Sequence, residues 1–572
     1  MYRRISYGLT LVLLGCLVAA WVQTAGMQVT VEDIRWETAS GQRLSGLLYI
    51  PDNVSQERPA PAILAIHGYI NSRETQSPFA IEFARRGFVV LALDQTGHGF
   101  SDPPAFSEGF GGPEGLRYLR QLDYVDPHRI GLEGHSMGGW AVQLAAAAMP
   151  DGYAAMVLAG SSTGTFGAPP GTATSPRNLL VVFSQFDEFS MLMWGSETAA
   201  GMTTTDKLKK LFGTTEAVIP GRLYGDMAMG TARELIMPAV THPGDHLSVQ
   251  VVAAAVDWFE TALGQQVRVD NQIWYWKELA TFAALLGVVF LVFPLVDLGL
   301  RLFERRLPLK INRQVFEAGF SRLALGLTVL VPVLTFFPLQ NLADVLLPAN
   351  GILPQQITNG VLLWAWGNGL ITLTMLWIVR RRTPQEDLAA YGLGLRSDQV
   401  MAILSISAGV FFSLYLLVYL ADRWLTVDMR FWVVALKAMT STQAGIFLTY
   451  LVPFTLFFVV QSVSLARHLS CYQDQPLRAM WCHGLIFSGG FMGLLLVQYL
   501  PLLAGGTLLV ATQPLLSIVA IQFVPVMLLV GLISSFCLHR TGSVYLGACL
   551  NGLLVTWYLV AGTATQSVPF WL

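Results

Sequence analysis

The 572-residue chain predicts two architectures in series: a doubly wound, mostly parallel α/β sheet, then an all-α polytopic membrane domain. Three observations carry this. Apolar strand-like runs alternate with amphipathic helical segments up to about residue 265, which implies a parallel sheet with right-handed crossovers. From residue 274 onward the chain is a series of apolar stretches of bilayer length. Charge divides at the same place, with 16 Lys/Arg against 26 Asp/Glu over residues 27–270 and 17 against 11 over 271–572. The reading is therefore an N-terminal helix (1–26), an acidic domain (27–270) and a membrane domain (271–572).

Composition narrows the function. The acidic block has no basic stripe, which argues against nucleic-acid binding. The cysteines (Cys16, Cys471, Cys482, Cys537, Cys549) all lie in or beside apolar segments. The acidic block thus has neither disulfide nor thiolate chemistry. No spacing of metal ligands occurs, and neither metal nor cofactor is expected.

Taken in order, "MYRRISYGLTLVLLGCLVAAWVQTAG" has a basic start and an apolar run from about Leu9 to Val22. A cleaved signal peptide and a signal anchor both fit; the run continues past Cys16, and the anchor is the expectation. "PAILAIHGYINS" (61–72) is an apolar strand ending in His67-Gly68, followed by a helix over 77–86 and the strand "FVVLALD" (88–94). "RIGLEGHSMGGWAVQLAAAAM" (129–149) reads as strand, turn and small-residue helix, with Ala141, Leu144, Ala145 and Ala148 on one helical face. Its G-x-S-x-G is a nucleophile elbow: Gly134 and Gly138 permit the tight turn that lifts the Ser136 oxygen out of the backbone. "GSSTG" (160–164) also matches, but "TFGAPPGTAT" after it cannot form a helix, so context selects Ser136.

A serine nucleophile needs a base, and the base needs an orienting carboxylate. "NLLVVFSQFDEF" (178–189) is a buried strand with Asp187 just past it and Glu188 as its neighbour. "THPGDHLSVQVVAAAVDWFETAL" (241–263) offers His246, directly before a helix, and His242, one turn earlier beside Pro243. His246 is the expected base, because Leu247, Val251, Ala254, Ala255, Trp258 and Phe259 trace the apolar face that would fix its position. Backbone N–H groups of Tyr69 and Met137 would form the oxyanion hole.

With "HGYINS", "ALDQTGHGFSD", "VDPHRIGLEGHSMGG", Asp187 and His246 in view, residues of about 29–265 resemble the α/β-hydrolase superfamily. The serine aminopeptidase, monoacylglycerol-lipase and dienelactone-hydrolase-like branches are the most similar. The resemblance implies serine hydrolysis, with His98 and His128 structural and His67 and His135 packing around the oxyanion loop and the elbow. One departure is the 58 residues between Asp187 and His246, where segments 196–213 and 221–238 would form a flap or a surface insertion.

Eight further spans are expected near 279–300, 323–346, 358–379, 399–420, 431–464 (over-long, broken near Thr440), 479–503, 513–537 and 543–563. Alternate loops hold Arg301, Arg305, Arg306, Lys310, Arg313, Arg322, Arg380, Arg381, Arg382, Arg396, Arg467, Arg478 and Arg540; the opposite side holds Lys277, Arg423, Arg430 and Lys437. The positive-inside rule puts the first group in the cytoplasm and residues 27–270 outside. "WYWK" (274–277) reads as an interfacial belt. Asp297, Asn341, Asp344, Asn368, Lys437, Gln443, His483 and Asn551 are polar candidates within the apolar half. The tail "TGSVYLGACLNG" (541–552) resembles the last motif of the CAAX-protease family. Gly547 stands where that motif has histidine and no glutamate follows Glu386, which implies a catalytically dead relative.

The expected function is a membrane-tethered, extracytoplasmic serine hydrolase of small-molecule or lipid-like esters in contact with membrane lipids. Met191, Met193, Trp194 and Phe189 would suit an acyl chain. A serine peptidase with the same triad is the alternative, and a transporter or sensor with a ligand-binding outer domain is the third reading.

Overall fold

A computed structural model describes residues 1–264, 267–305, 307, 321–382, 391–469 and 474–572. Arg306, Lys310, Arg313, Glu386 and Cys471 lie outside the described residues.

The first half is one eight-stranded sheet. Its strands are β1 (Val29–Glu37), β2 (Arg43–Pro51), β3 (Ala60–Ile66), β4 (Val89–Asp94), β5 (Val125–His135), β6 (Ala155–Ala159), β7 (Leu179–Val182) and β8 (Arg233–Ile236). They lie in the order β1-β2-β4-β3-β5-β6-β7-β8. The β1–β2 and β2–β4 pairs are antiparallel, and from β4 to β8 all neighbours are parallel. β3 and β4 are buried at every position, as a sheet covered on both faces requires.

Helices cover both faces. With α1 as the N-terminal helix Tyr2–Gln23, these are α2 (Ser77–Arg85), α3 (Gly112–Gln121), α4 (Met137–Ala148), the short α5 (Ser190–Trp194) and α6 (Asp206–Phe212), and α7 (Val249–Leu263). α3 and α4 pack on one face with Leu64, Leu91 and Leu132. α2 and α7 pack on the other with Ile63, Val90 and Val157. The apolar face of α7 is the one expected, with Val251, Ala255, Trp258 and Phe259 buried.

The second half is helical: α8 (Trp274–Leu302), α9 (Arg322–Leu334), α10 (Phe336–Leu346), α11 (Gln356–Arg382), α12 (Ser397–Leu425), α13 (Ser441–His468), α14 (Pro476–Leu503), α15 (Pro514–Thr541) and α16 (Tyr545–Gly562). Among the described residues eight helices, α1 included, are long and apolar enough to span a bilayer. α9 and α10 form a further pair bent by 49°. The over-long stretch 431–464 is not one span. It divides into a β-hairpin, β9 (Met429–Phe431) with β10 (Val434–Leu436), and α13, which Thr440 caps through a reciprocal box with Gln443.

α1 and α8 run antiparallel in close contact. A Cβ at Gly8 would meet Leu291, one at Gly287 would meet Val12, and one at Gly15 would lie 2.6 Å from the Ala280 carbonyl. Small residues thus let the two backbones approach, as in membrane helix pairs. The sheet domain therefore leaves and re-enters the bundle at one end. At that end Gln23 binds Thr426, Tyr499 meets Glu188, and Thr565 pairs with Gly97 and Ala105. At the other end Arg540 pairs with Asp297.

"WYWK" also forms a joint. Tyr275 and Trp276 are exposed, while Trp274 is buried and Lys277 donates to Ser77. The Glu82 carboxylate accepts the N–H groups of Ile273 and Trp274 at the start of α8, where the helix dipole favours an anion. Lys437 and Gln443 also prove to be interface residues: Lys437 lies 3.5 Å from Glu74, and Gln443 donates to the Gly99 carbonyl. Within the bundle, Asn368 bonds Thr335 and the Trp364 carbonyl, His483 bonds Ser535 and the Leu469 carbonyl, and Asn551 bonds Ser534. These pairings engage polar groups inside the bundle, although the Asn551 Oδ1 has no hydrogen-bond partner among the described residues.

Candidate active site

Ser136 sits between β5 and α4 with φ 53° and ψ −119°, outside the wells a side-chain-bearing residue prefers. The turn holds because glycine surrounds it. A Cβ at Gly138 would collide with the Ile66 carbonyl, and one at Gly134 with the Gly138 backbone. A Cβ at Gly68 would lie 3.0 Å from Ser136 Cβ, so the loop after β3 runs beside the serine. His67 fixes that loop. Its Nδ1–H donates to the Gly68 carbonyl at 2.7 Å and its Nε2 accepts from Gln95 N–H at 3.1 Å. Burial holds His67 well below the usual histidine range, so it is a neutral structural strut. The Tyr69 and Met137 N–H groups have no acceptor among the described residues, and both residues line the cavity beside Ser136.

The carboxylate and the expected base do not meet. Asp187 Oδ2 accepts from Nδ1–H of His242 at 2.8 Å, and its Oδ1 accepts from Phe189 N–H at 2.7 Å. His246 instead lies against His135, ring centroids 4.1 Å apart and planes tilted by 55°, and meets Phe79 edge-on. The pairing of Asp187 with His246 is thus corrected to His242. The reason is register: parallel pairing continues past β7 and β8 to a bridge between Phe186 and Thr241, which sets residues 187 and 242 side by side. Residues His242–Leu247 then wind as a 3-10 turn, which carries His246 away beneath α7.

Glu188 matters more than a mere neighbour. Its Oε2 accepts the backbone N–H of His242 at 2.8 Å, and its Oε1 accepts from Tyr499 O–H of α14 at 2.9 Å. On the far side of His242, Trp432 of the β9–β10 hairpin donates to the Pro243 carbonyl at 2.7 Å. His135 Nε2–H donates to the His242 carbonyl at 3.0 Å. An acidic pair after a strand was the only sequence signal for Glu188. Nothing local could reveal Tyr499, 311 residues away.

The electrostatics separate the two histidines. Burial lowers His242, but the carboxylates of Asp187, Glu188 and Asp245 outweigh it and raise the ring to about 9. Burial and the charge of Asp187 push Glu188 up to about 7. Burial, then His135 and His242, hold His246 well below the usual range, and its Nε2 has no hydrogen-bond partner among the described residues. The competing serine, Ser162, is fully buried and bonds Thr165 and Lys207, with no histidine in the set.

Ser136, His242 and His246 face a cavity of about 560 Å³. Phe189, Leu192 and Met193 line it, whereas Met191 is exposed and Trp194 is buried elsewhere. Neither segment 196–213 nor segment 221–238 lines this cavity; Met202, Leu208 and Leu211 pack into the sheet core and residues 233–236 are β8, so neither segment is a flap over it. The roof comes from the membrane half, through Trp432 and Val433 of the hairpin and Leu515, Ile518 and Gln522 of α15. Among the described residues no group of three or more His, Cys, Asp or Glu could hold a metal.

Such a sheet, with a serine on its central strand-to-helix turn, defines an α/β-hydrolase fold. Residues 61–266 match the α/β-hydrolase-fold family model. The mouse and human dipeptidyl peptidase 8 (Mus musculus, Homo sapiens) are 31% and 30% identical over 126 residues, 19% of this chain and 14% of each relative. The chain thus spans about a seventh of those proteins' length. The Pyrococcus furiosus esterase Pf2001 superposes with a TM-score of 0.31 and 15% identity, over 42% of this chain and 96% of that one.

Proposed function

We propose that this protein is a multi-pass membrane serine hydrolase that cleaves carboxyl esters of amphiphilic substrates. Ser136 is the nucleophile, His242 the base and Asp187 its orienting acid. The observation that carries this is Ser136, held at positive φ on a cavity wall it shares with a histidine whose other ring nitrogen meets a carboxylate.

Neutral His242, with Nδ1–H on Asp187, takes the Ser136 proton at Nε2 as the oxygen attacks the ester carbonyl. The oxyanion is received by the Tyr69 and Met137 N–H groups; one such donor contributes roughly 3–4 kcal/mol. The tetrahedral adduct expels the alcohol, which takes the proton from His242. Water then attacks the acyl-enzyme with His242 again as base, and the carboxylic acid leaves. His246 is a packing partner of His135 in this scheme.

The aromatic and aliphatic walls (Phe106, Phe110, Trp140, Phe166, Leu192, Ile518) favour an acyl substrate over a peptide. The charge asymmetry of the loops supports an extracytoplasmic hydrolase domain. The packing of α1 on α8 supports a retained anchor.

A fluorophosphonate probe should label the purified full-length protein and fail on Ser136→Ala, while Ser162→Ala labels normally. A panel of acyl esters against aminoacyl amides then tests the bond. Faster amide than ester turnover would favour the peptidase reading.

A further inference from the structure

The roof over Ser136 borders a second space inside the helical bundle. Above Ile70, Asn71, Arg430, Val433 and Gln522, all of which line the catalytic cavity, a second narrow cleft of about 50 Å³ continues between α11, α13, α15 and α16. It offers some four water-sized volumes, at roughly 10–15 Å³ each. Between the helices its walls include Val361, Trp364 and Ala365 of α11, Phe454 and Phe457 of α13 and Phe523 of α15, while Ser72, Arg430 and Lys437 line the end that meets the sheet domain. The six helix residues are all buried inside the bundle.

A third space of about 860 Å³ adjoins the catalytic cavity and shares Tyr69, Phe189, Leu192 and Leu515 with it. This vestibule is polar, with Glu188, Glu197, Asn341, Asp344, Gln356 and Gln513 among its walls and neither Lys nor Arg among its described lining.

Resting on the ester-hydrolase reading, we propose that the cleft in the transmembrane bundle takes the far end of the substrate's acyl chain, whose first carbons lie in the catalytic cavity. The substrate is a single long unbranched acyl chain esterified to an uncharged or cationic alcohol. The chain threads from Ser136 past Val433 toward Ala365, and the alcohol occupies the vestibule. The polarity of the two spaces sets this direction. The polar lining of the narrow cleft, Asn71, Ser72, Arg430, Lys437 and Gln522, gathers where it meets the sheet domain. Beyond it the walls are aliphatic and aromatic and take the end of one extended chain, whereas a hydrophilic alcohol would be left unsolvated there. The carboxylates of the vestibule disfavour an anionic head group. The membrane domain is on this account half of the substrate site as well as a tether.

The test uses full-length protein in detergent, with p-nitrophenyl esters from four to sixteen carbons. Ala365→Trp and the milder Ala365→Leu block the cleft. Leu370→Trp, on the outward face of the same helix, is the control for helix substitution. Fluorophosphonate labelling of Ser136 reports a folded, working centre in each variant.

The expected result is a sixteen-carbon to four-carbon ratio of kcat/KM that falls roughly tenfold or more in Ala365→Trp. A smaller fall is expected in Ala365→Leu and none in Leu370→Trp. An unchanged ratio in either labelled Ala365 variant overturns the acyl subsite while leaving the esterase reading intact. If the labelled wild type cleaves no ester of any length, the esterase reading itself falls, and the subsite with it. Faster turnover of an anionic lysophosphatidic acid than of the matching monoacylglycerol overturns the assigned alcohol class.

Discussion

At the level of single residues, His242 is set apart from His246 by charge. Three carboxylates surround His242, and its ring is the one raised to about 9. A general base works in its neutral form, so kcat/KM for an uncharged ester is expected to climb with pH and level off above about 9. Glu188→Gln removes one anion that favours the imidazolium, so the ascending limb should move to lower pH. A shift the other way, or none, would remove Glu188 from the electrostatics of the base. His242→Ala should reduce kcat roughly 10⁴-fold or more with KM little changed. His246→Ala should cost about tenfold or less, the usual scale for a supporting group. The reverse order, in folded variants, would return the base to His246. Glu133 makes a separate case. It is fully buried on β5, neither oxygen has a hydrogen-bond partner among the described residues, and burial raises it well above the ordinary carboxylate range. A group raised in the folded state stabilises below its unfolded value and loses that contribution as pH rises through the folded one. Glu133→Gln should therefore raise Tm by several degrees at pH 8, with the gain vanishing toward pH 4; thermal unfolding across pH measures it.

At the level of elements, the histidine loop is gripped from outside its own domain. α14 reaches it through Tyr499 and Glu188, and the hairpin reaches it through Trp432 and Pro243. Arg430 anchors that hairpin to the loop after β3 by bonds to Ser72 and Thr75, and pairs with Asp428 at 2.9 Å. Tyr499→Phe removes one hydrogen bond to a carboxyl group, an interaction worth roughly 1.5–3 kcal/mol at most. A three- to tenfold fall in kcat is expected, with KM and probe accessibility little altered. The pH limb should also move, because Glu188 loses a donor. A change in KM alone would make Tyr499 a substrate contact.

At the level of the whole molecule, the described cations Arg380, Arg467 and Arg540 meet Tyr391 and Asp297 at the end of the helical half away from the sheet domain. This leaves a prediction about sidedness. In intact cells, a membrane-impermeant maleimide should label Asp151→Cys, whose side chain is 91% exposed, and not Arg396→Cys, 68% exposed. Permeabilisation should then expose Arg396→Cys. Labelling in the opposite order would invert the molecule in the membrane and put the hydrolase domain inside.

What the sequence by itself determined is what short stretches of chain determine. Glycine spacing around Ser136 dictates a strand-to-helix turn, alternation of strands and helices dictates a parallel sheet, and bilayer-length apolar runs dictate the bundle. Each of these follows from conformational preference and burial within about twenty residues. Which histidine meets Asp187 was decided by the register between β7 and β8, which no local pattern encodes. The hairpin at 429–436 looked like membrane span because an apolar roof over a cavity has the composition of a helix in lipid. The roof, the Tyr499–Glu188 link and the cleft above Ser136 join segments hundreds of residues apart. Only the packing of the bundle onto the sheet could bring them together, because the free energy that selects such contacts belongs to the assembled surface and not to any one segment.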